Sequence, residues 1–483
     1  MSTDIRPPLN RMSLAGLAPG LRPVIDPAEL RTRVVHFGLG AFHRAHQAVY
    51  TEHAAARSGE PWGITAVAPR SVETVRALRE QDCLYSLTER RPDGHRSRVV
   101  GSVVGALAMG PDARAVDALL TDPEVTVVTL TVTEKGYHRS PATGGLDTGA
   151  PPVAADLSAD PGGPLTTVIG RLAAGLAARM RAGAPPISVV SCDNMADNGA
   201  SLRRGIHDFV RASTWPDRTH ILDRMTETVA FPATVVDRIV PATDESDRAA
   251  ALASLGLRDA LPVAAEPYRQ WVLQDSFAGP RPPWELDGAL FVEDVAPYQL
   301  TKLRLLNGSH SALAYLGTAA GLTTIADTMA TDWGEDLVRA LCAEVAHTLP
   351  SGGPDPTAYA EDLVVRFRNP AMRHRLLQIG SDGSLKITER WLPALRELRA
   401  RGTRTPVLEL ALAAWALGTR RADALPDPAA DTLAACWGST ANPSDTVRAL
   451  LRAVGANDLA DDDVLTAAVA DRFPGLRAGR VEL

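Results

Sequence analysis

The sequence predicts an α/β protein: a parallel β-sheet covered by helices, followed by a mostly α-helical domain. Three observations carry this expectation. Short apolar runs rich in β-branched residues alternate with helical patterns over the first 290 residues, and the clearest of them end in polar segments. The first run leads directly into a glycine turn. After about residue 290 the strand signal fades and Ala-, Leu- and Arg-rich helical patterns replace it. Apolar strands separated by helices are the pattern of a sheet buried on both faces.

Taken in order, residues 1–33 form a Pro- and Arg-rich irregular arm. Residues 34–37 (VVHF) are the first buried strand, and a helical pattern runs over 42–57. Further strands are expected at 64–68, 125–132 (VTVVTLTV) and 187–192 (ISVVSC). The last two end at the polar segments TEKGYH and DNMADNG, and ligands of such sheets bind beyond the carboxyl ends of the strands. Residues 141–164, rich in Gly, Pro, Ala and Asp, are expected to be an insert or long loop. Helices are expected over 300–316, 335–349, 357–368, 391–399 and 406–416. This gives an N-terminal domain over 1–290 and a helical domain over 291–483.

The strand–Gly38-Leu39-Gly40–helix sequence is the opening of a Rossmann-like dinucleotide fold. The first glycine permits the tight turn, and the second lets backbone approach a pyrophosphate at the helix N-terminus. His43 stands where the full fingerprint has its third glycine. Gly38, Gly40, Ala41, Phe42 and His43 are therefore the candidate cofactor contacts. Arg44 joins Phe42 and His43 as a candidate for pyrophosphate or nicotinamide contact, with structural packing as the alternative. At the end of the second strand no acid precedes Glu73. Arg70 and Ser71 stand there instead, so a 2′-phosphate, and hence NADP, remains beside NAD. His43 and His46 lack further ligands at useful spacing, and no metal site is expected.

Composition narrows the function. Of the 483 residues, 45% are hydrophobic and 22% charged, which describes a globular chain. A formal charge of −7 gives no basic footprint for nucleic acid. Residues 407–417, the most apolar late stretch, are about half a membrane span and include Glu409, so no membrane segment is expected. The N-terminus lacks the apolar core of a signal peptide, and the four dispersed cysteines include no CxxC. A reducing cytoplasm is the expected location.

Only three of the 50 cationic residues are lysines: Lys135, Lys302 and Lys386. Arginine substitutes for lysine on a solvated surface, but a guanidinium cannot release its proton. Each remaining lysine is therefore a candidate for special chemistry. Lys302 lies in YQLTKLRLLNGSHSALAYL (298–316). On an ideal wheel at ~100° per residue, Lys302, Asn307 and His310 share a broad face with Leu306 and Leu313. A lysine withdrawn from water loses affinity for its proton and can act as a general base. Asn307 can donate to an oxygen that becomes an alkoxide. The alternative is a snorkelling lysine with a capping asparagine. Lys135 ends a strand at the expected cofactor cleft. Arg373, His374 and Arg375 form a basic cluster near Lys386, where a sugar-acid carboxylate would need a cation.

The chain resembles the long-chain mannitol dehydrogenase family, most closely its fructuronate reductase (D-mannonate oxidoreductase) branch. The resemblance rests on HFGLGAFHRAHQAVY (36–50), LTVTEKGYH (130–138), SCDNMADNG (191–199), FPATVVDRIVPAT (231–243), EPYRQWV (266–272), KLRLLNGSHSALAYLG (302–317) and DGSLK (382–386). It implies a Rossmann-like N-terminal domain and a helical C-terminal domain, with an active site between them. It also implies metal-independent hydride transfer between a nicotinamide and a ketose or polyol carbon. By the resemblance Lys302 is the general acid/base, and Asn307 and Asn198 hydrogen-bond the reacting oxygen. His310 helps hold the substrate, and Asp237 and Lys386 contact it. Gln299 stands where the family has a glutamate, and Gln378 where mannitol dehydrogenases have an arginine. The expected reaction is D-fructuronate to D-mannonate, with a polyol dehydrogenase as the alternative. A dinucleotide-binding sensor with a dead site is a third reading, opposed by the intact Lys302/Asn307/His310 set. The expected partner is a small sugar acid or polyol, and the expected assembly is a monomer or small homo-oligomer.

Overall fold

The computed structural model describes residues 6–420, 426–438 and 442–483. The chain divides between Val295 and Ala296 into two compact units.

The first unit is built on a six-stranded, all-parallel sheet. Its strands are β1 (Arg31–Phe37), β2 (Trp62–Ala68), β3 (Val103–Ala108), β4 (Val127–Leu130), β5 (Ile187–Ser191) and β6 (Val229–Ala230), in the order β3-β2-β1-β4-β5-β6. Alternate residues feed opposite faces, as the two-residue period of a strand requires. Val34, Ile64, Ala66, Val127 and Val190 enter one apolar core, and Val35, Phe37, Val67, Val128 and Val189 enter the other. Every residue of β2 is buried, so the sheet has no wet face there. Two three-stranded sheets complete the unit. Tyr85–Arg91 pairs antiparallel with Gly94–Val100, and Thr234–Asp237 antiparallel with Gln270–Gln274.

β1 lies between β2 and β4, whose connections leave it in opposite directions, so the sheet has its switch point at the end of β1. The turn there has to be glycine. Gly38 has φ +117°, and a Cβ on it would sit 2.1 Å from the Thr131 carbonyl oxygen. The expected 42–57 helix is interrupted: α1 (Ala41–Ala45) breaks at His46 and α2 (Gln47–Ser58) follows.

The 141–164 segment is more ordered than its composition suggests. It contains a helix over Pro151–Ser158. Its buried Asp156 accepts bonds from the backbone N–H and hydroxyl of both Thr166 and Thr167, at 2.6–2.9 Å.

The second unit is helical, around a core that includes Leu313, Leu341, Trp391, Leu395 and Leu408. The apolar stretch near 407–417 forms the helix Pro406–Gly418, buried along most of its length in that core. Among the described residues no helix is long and apolar enough to cross a membrane. The expected single helix over 300–316 proves to be three segments: α3 (Ala296–Thr301), a π-helical stretch Lys302–Asn307, and α4 (Gly308–Ala319). The Gly308 N–H reaches back to the Leu303 carbonyl, five residues earlier. The uniform wheel is therefore wrong for this stretch. A π turn spans more residues than an α turn. It brings Lys302 and Asn307, five apart, closer to one line.

Several histidines are buried. His36 stacks on His43 with ring centroids 3.4 Å apart, and His46 packs on Phe42 and Trp271. Burial lowers the pKa of His36 and of His46 to about 3 and that of His43 well below its usual value. These imidazoles stay neutral in the folded chain while the unfolded chain protonates them near pH 6.5. Their contribution to stability is complete above that pH and is lost as pH falls from about 6.5 towards 3. The free energy of denaturant unfolding of the wild type should decrease as pH falls from 6 to 4. His46→Phe should reduce that slope by about 1.4 kcal/mol per pH unit. An unchanged slope would show that His46 is protonated in the folded protein.

Candidate active site

A cleft of about 990 Å³ opens at the carboxyl ends of β1, β2 and β4. Three loops line it: Gly38–Gly40, Ala68–Ser71 with Thr74, and residues 131–133, 135, 136 and 138. Pro152, Ala155 and 166–168 close one side, so the segment expected to be a loop supplies a wall. Among the described residues no Asp or Glu lines the cleft, whereas Arg70, Lys135 and His138 do. A Cβ on Gly40 would meet no protein atom within 4 Å, so backbone is open to close approach. An acid-free, cation-bearing cleft beside a bare glycine turn fits the pyrophosphate of a dinucleotide.

The 131–138 loop is held from below. Asp193, just past β5, accepts from the backbone of Thr133 at 2.8 Å and Val132 at 3.2 Å, and from the Tyr137 hydroxyl at 2.8 Å. Burial raises the Asp193 pKa, while these donors pull it down. They hold Thr133 at φ +70° and ψ 158°, a positive-φ extended conformation that costs a β-branched residue about 1–3 kcal/mol. Thr131 bonds the buried His36 at 2.8 Å and the Gly38 carbonyl at 3.2 Å, tying this loop to the glycine turn.

Of the expected cofactor contacts, Gly38, Gly40, Arg70 and Lys135 line the cleft. Ala41, Phe42 and His43 do not. His43 is fully buried, and its stacking on His36 gives it a packing role. Arg44 is also turned inward, where it donates to the Leu261 carbonyl and lies 5.2 Å over the Tyr85 ring.

Asn198 needs a correction. Its Nδ2 donates to the carbonyls of Asp193 at 3.1 Å and Thr234 at 2.9 Å, and its Oδ1 accepts from the Thr234 N–H at 3.0 Å. Both amide protons are thus committed to backbone, and the side chain is buried. In this geometry Asn198 ties the DNMADNG loop to the strand Thr234–Asp237 and offers no donor to a reacting oxygen. Asp237 ends that strand, buried and opposite Gln270.

In the second unit, Lys302 is 8% exposed. Asn307 ends the π stretch, and His310 lies one turn into α4. His310 stacks on Phe367 at 4.6 Å and faces His374 at 5.5 Å. Its Nε2 is buried without a hydrogen-bond partner among the described residues. Burial drives its pKa well below the usual value, and His374, Arg390, Arg366 and Lys386 push the same way. The neutral ring therefore lies in a field of four cationic or protonatable groups.

Lys386 and Arg390 come from the helix Gly383–Arg390. Gly383 lets that helix approach, since a Cβ there would lie 2.3 Å from the Tyr315 hydroxyl. Lys386 donates from Nζ to the Ile379 carbonyl at 3.0 Å. Burial and Arg390 lower its pKa, while Asp382 and Asp427 pull it up. Arg390 donates to the Asn307 carbonyl at 3.1 Å and to the Ser311 hydroxyl at 2.7 Å. Arg366 and Arg390 were missed in the sequence, although Arg390 stands one turn beyond Lys386 on the same helix face. Arg375 and Gln378 are exposed at the helix Leu376–Gly380, so of the 373–375 cluster it is His374 that packs at His310.

Comparison with known proteins now decides the family. The Mannitol dehydrogenase Rossmann domain model matches residues 32–286, and the Mannitol dehydrogenase C-terminal domain model matches 294–476. The chain belongs to the mannitol dehydrogenase family. It is an oxidoreductase acting on CH–OH groups. It is 39% identical to the uncharacterized oxidoreductase YdfI of Escherichia coli K12, over 94% of this chain and 95% of that one. It is 38% identical to the D-mannonate oxidoreductase of the same organism, over 84% of this chain and 83% of that one. The solved ternary complex of Pseudomonas fluorescens mannitol 2-dehydrogenase with NAD and D-mannitol has a TM-score of 0.80 at 35% identity, covering 97% of this chain and 96% of that one.

Asn198 gives a test that separates structure from chemistry. Asn198→Ala removes four buried hydrogen bonds and should cost about 2–4 kcal/mol of unfolding free energy. Unchanged stability with lost turnover would return Asn198 to the reacting oxygen.

Proposed function

We propose that this mannitol dehydrogenase family member interconverts a keto-sugar acid and its hydroxy form, D-fructuronate and D-mannonate, with a nicotinamide dinucleotide. The observation that carries the sugar-acid reading is the cationic surround of His310. Lys386, Arg390, Arg366 and His374 bear on one buried ring. A neutral polyol needs no such field, whereas a carboxylate would be held by it. The D-mannonate oxidoreductase relative supports the same reading. The solved complex supports NAD as the cofactor, which the cleft of the first unit fits. That complex also carries D-mannitol, so a polyol dehydrogenase is the second reading.

A bound nicotinamide supplies the hydride in the reductive direction and accepts it in the oxidative one. Lys302 Nζ gives its proton to the ketone oxygen during reduction and, when neutral, takes the proton from the hydroxyl during oxidation. A guanidinium at this place could not cycle in this way. The Asn307 amide donates to the growing alkoxide and lowers the barrier where charge develops. With both Asn198 protons committed elsewhere, this donation falls to Asn307. The unpartnered Nε2 of neutral His310 takes a hydrogen bond with a substrate hydroxyl. Lys386, whose charge bears on this ring, takes the carboxylate end. Asp237, at the end of the strand Thr234–Asp237, is a substrate contact by the resemblance.

Two assays test these roles. Lys302→Ala should lose roughly a thousandfold or more in kcat while dinucleotide affinity stays within about threefold. Near-normal turnover would remove Lys302 from the proton transfer. The wild type should show a kcat/KM for D-fructuronate at least about tenfold above that for D-fructose, and Lys386→Gln should narrow the ratio by raising the fructuronate KM. A preference for fructose would establish the polyol reading instead.

A further inference from the structure

One of the cations around His310 has no anion of its own. Lys386 and Arg390 lie one turn apart on the helix Gly383–Arg390, where like charges repel. Burial and then Arg390 lower the Lys386 pKa, so the two charges bear on each other as well as on His310. Arg90, Arg171 and Arg304, which are withdrawn from water, pair with Asp247, Asp117 and Glu397. Arg390 is half-buried and makes no ion pair with the described residues. Burial lowers its pKa, and Tyr315 and Glu389 oppose this without pairing with it. A guanidinium partly removed from water with no carboxylate against it is costly to hold.

The bonds that Arg390 makes leave one edge of its guanidinium open. Both come from Nη1, to the Asn307 carbonyl at 3.1 Å and the Ser311 hydroxyl at 2.7 Å. Nε and Nη2 donate to none of the described residues. These two nitrogens carry parallel N–H bonds along one edge, the fork that meets the two oxygens of a carboxylate. The Nη1 bonds fix that fork to the backbone of the π stretch, which ends at Asn307. Lys386 has no such fork. Its ammonium is a point charge, and Nζ already donates to the Ile379 carbonyl at 3.0 Å.

We propose that Arg390 selects a sugar acid over a neutral sugar: its Nε/Nη2 edge takes the substrate carboxylate in a two-bond pair, with Lys386 as the second cation beside it. The proposal rests on the sugar-acid reading and names the group that recognises the acid. A carboxylate in this place relieves the repulsion between Lys386 and Arg390 and gives the half-buried guanidinium its counter-ion. A purely structural Arg390 would act through its Nη1 bonds alone, and its loss would then harm charged and neutral substrates alike.

The test compares D-fructuronate with D-fructose, which lacks the carboxylate, on the full chain with saturating reduced dinucleotide. Arg390→Lys keeps the charge and loses the fork. Its ratio of kcat/KM for fructuronate to kcat/KM for fructose should fall by about tenfold, with the loss concentrated in the fructuronate KM. Arg390→Gln, which also loses the charge, should lower the ratio further. Unfolding midpoints check that both variants fold. A ratio that stays within about threefold of the wild type in both variants would show that Arg390 only holds the Asn307 backbone. That result overturns the proposal, and a wild-type preference for fructuronate would leave the sugar-acid reading standing. A wild type that prefers fructose overturns both. A crystal structure of the wild type with dinucleotide and D-mannonate needs no variant. The carboxylate oxygens should lie about 2.7–2.9 Å from Arg390 Nε and Nη2, and a carboxylate held elsewhere overturns the proposal.

Discussion

The chemistry proposed for the helical unit depends on one widened helical turn. In a uniform α-helix Lys302, Asn307 and His310 would spread across a broad face. The π stretch Lys302–Asn307 absorbs residues without a full α turn and draws the three towards one line. Its neighbours hold it there. Arg304, inside the stretch, donates to the Thr348 carbonyl at 2.6 Å and to Glu397 at 2.5 Å. At the junction with α4, Arg390 donates to the Asn307 carbonyl and Trp391 to the Gly308 carbonyl. Arg390 therefore has two roles. It holds the backbone that carries Asn307, and it places positive charge beside His310.

The first unit works by a different device. Its sheet supplies rigid strand ends, and a few buried polar groups set the loops that follow. Asp193 fixes the 131–138 loop from below, and Asn198 fixes the loop that carries Asp193 against the strand Thr234–Asp237. The cofactor cleft is shaped by side chains that do not line it. Buried hydrogen-bonded polar groups of this kind are costly to break and specify one loop geometry.

Four of the six strands, β1, β2, β4 and β5, were legible because they carry apolar runs buried on both faces, whereas the half-buried β3 and the two-residue β6 were not read. The hairpin Tyr85–Arg91/Gly94–Val100 was not legible, since its strands carry charge at several positions and lack such a run. The Gly38 turn was readable from its spacing, and close contact with Thr131 explains the glycine. His43 and Arg44 misled because a residue one turn from a phosphate-binding glycine reads the same whether it faces out or in. The break at His46 belongs to a helix that turns both of them inward. Asn198 was found as a motif residue, but its partners come from a strand about 36 positions later, which no local pattern reveals. The π stretch was invisible for a similar reason, because the groups that support it, Thr348, Arg390, Trp391 and Glu397, are distant in sequence.

The scarcity of lysine remains the simplest link between sequence and chemistry: where arginine was used almost everywhere else, position 302 keeps an ammonium. The most direct measurement is single-turnover reduction of D-fructuronate by Lys302→Arg with saturating reduced dinucleotide. Charge is retained, so substrate and dinucleotide should still bind, while the rate should fall by roughly a thousandfold or more because the guanidinium cannot give up its proton. A rate near that of the wild type would contradict the account, since it would show that position 302 supplies only positive charge.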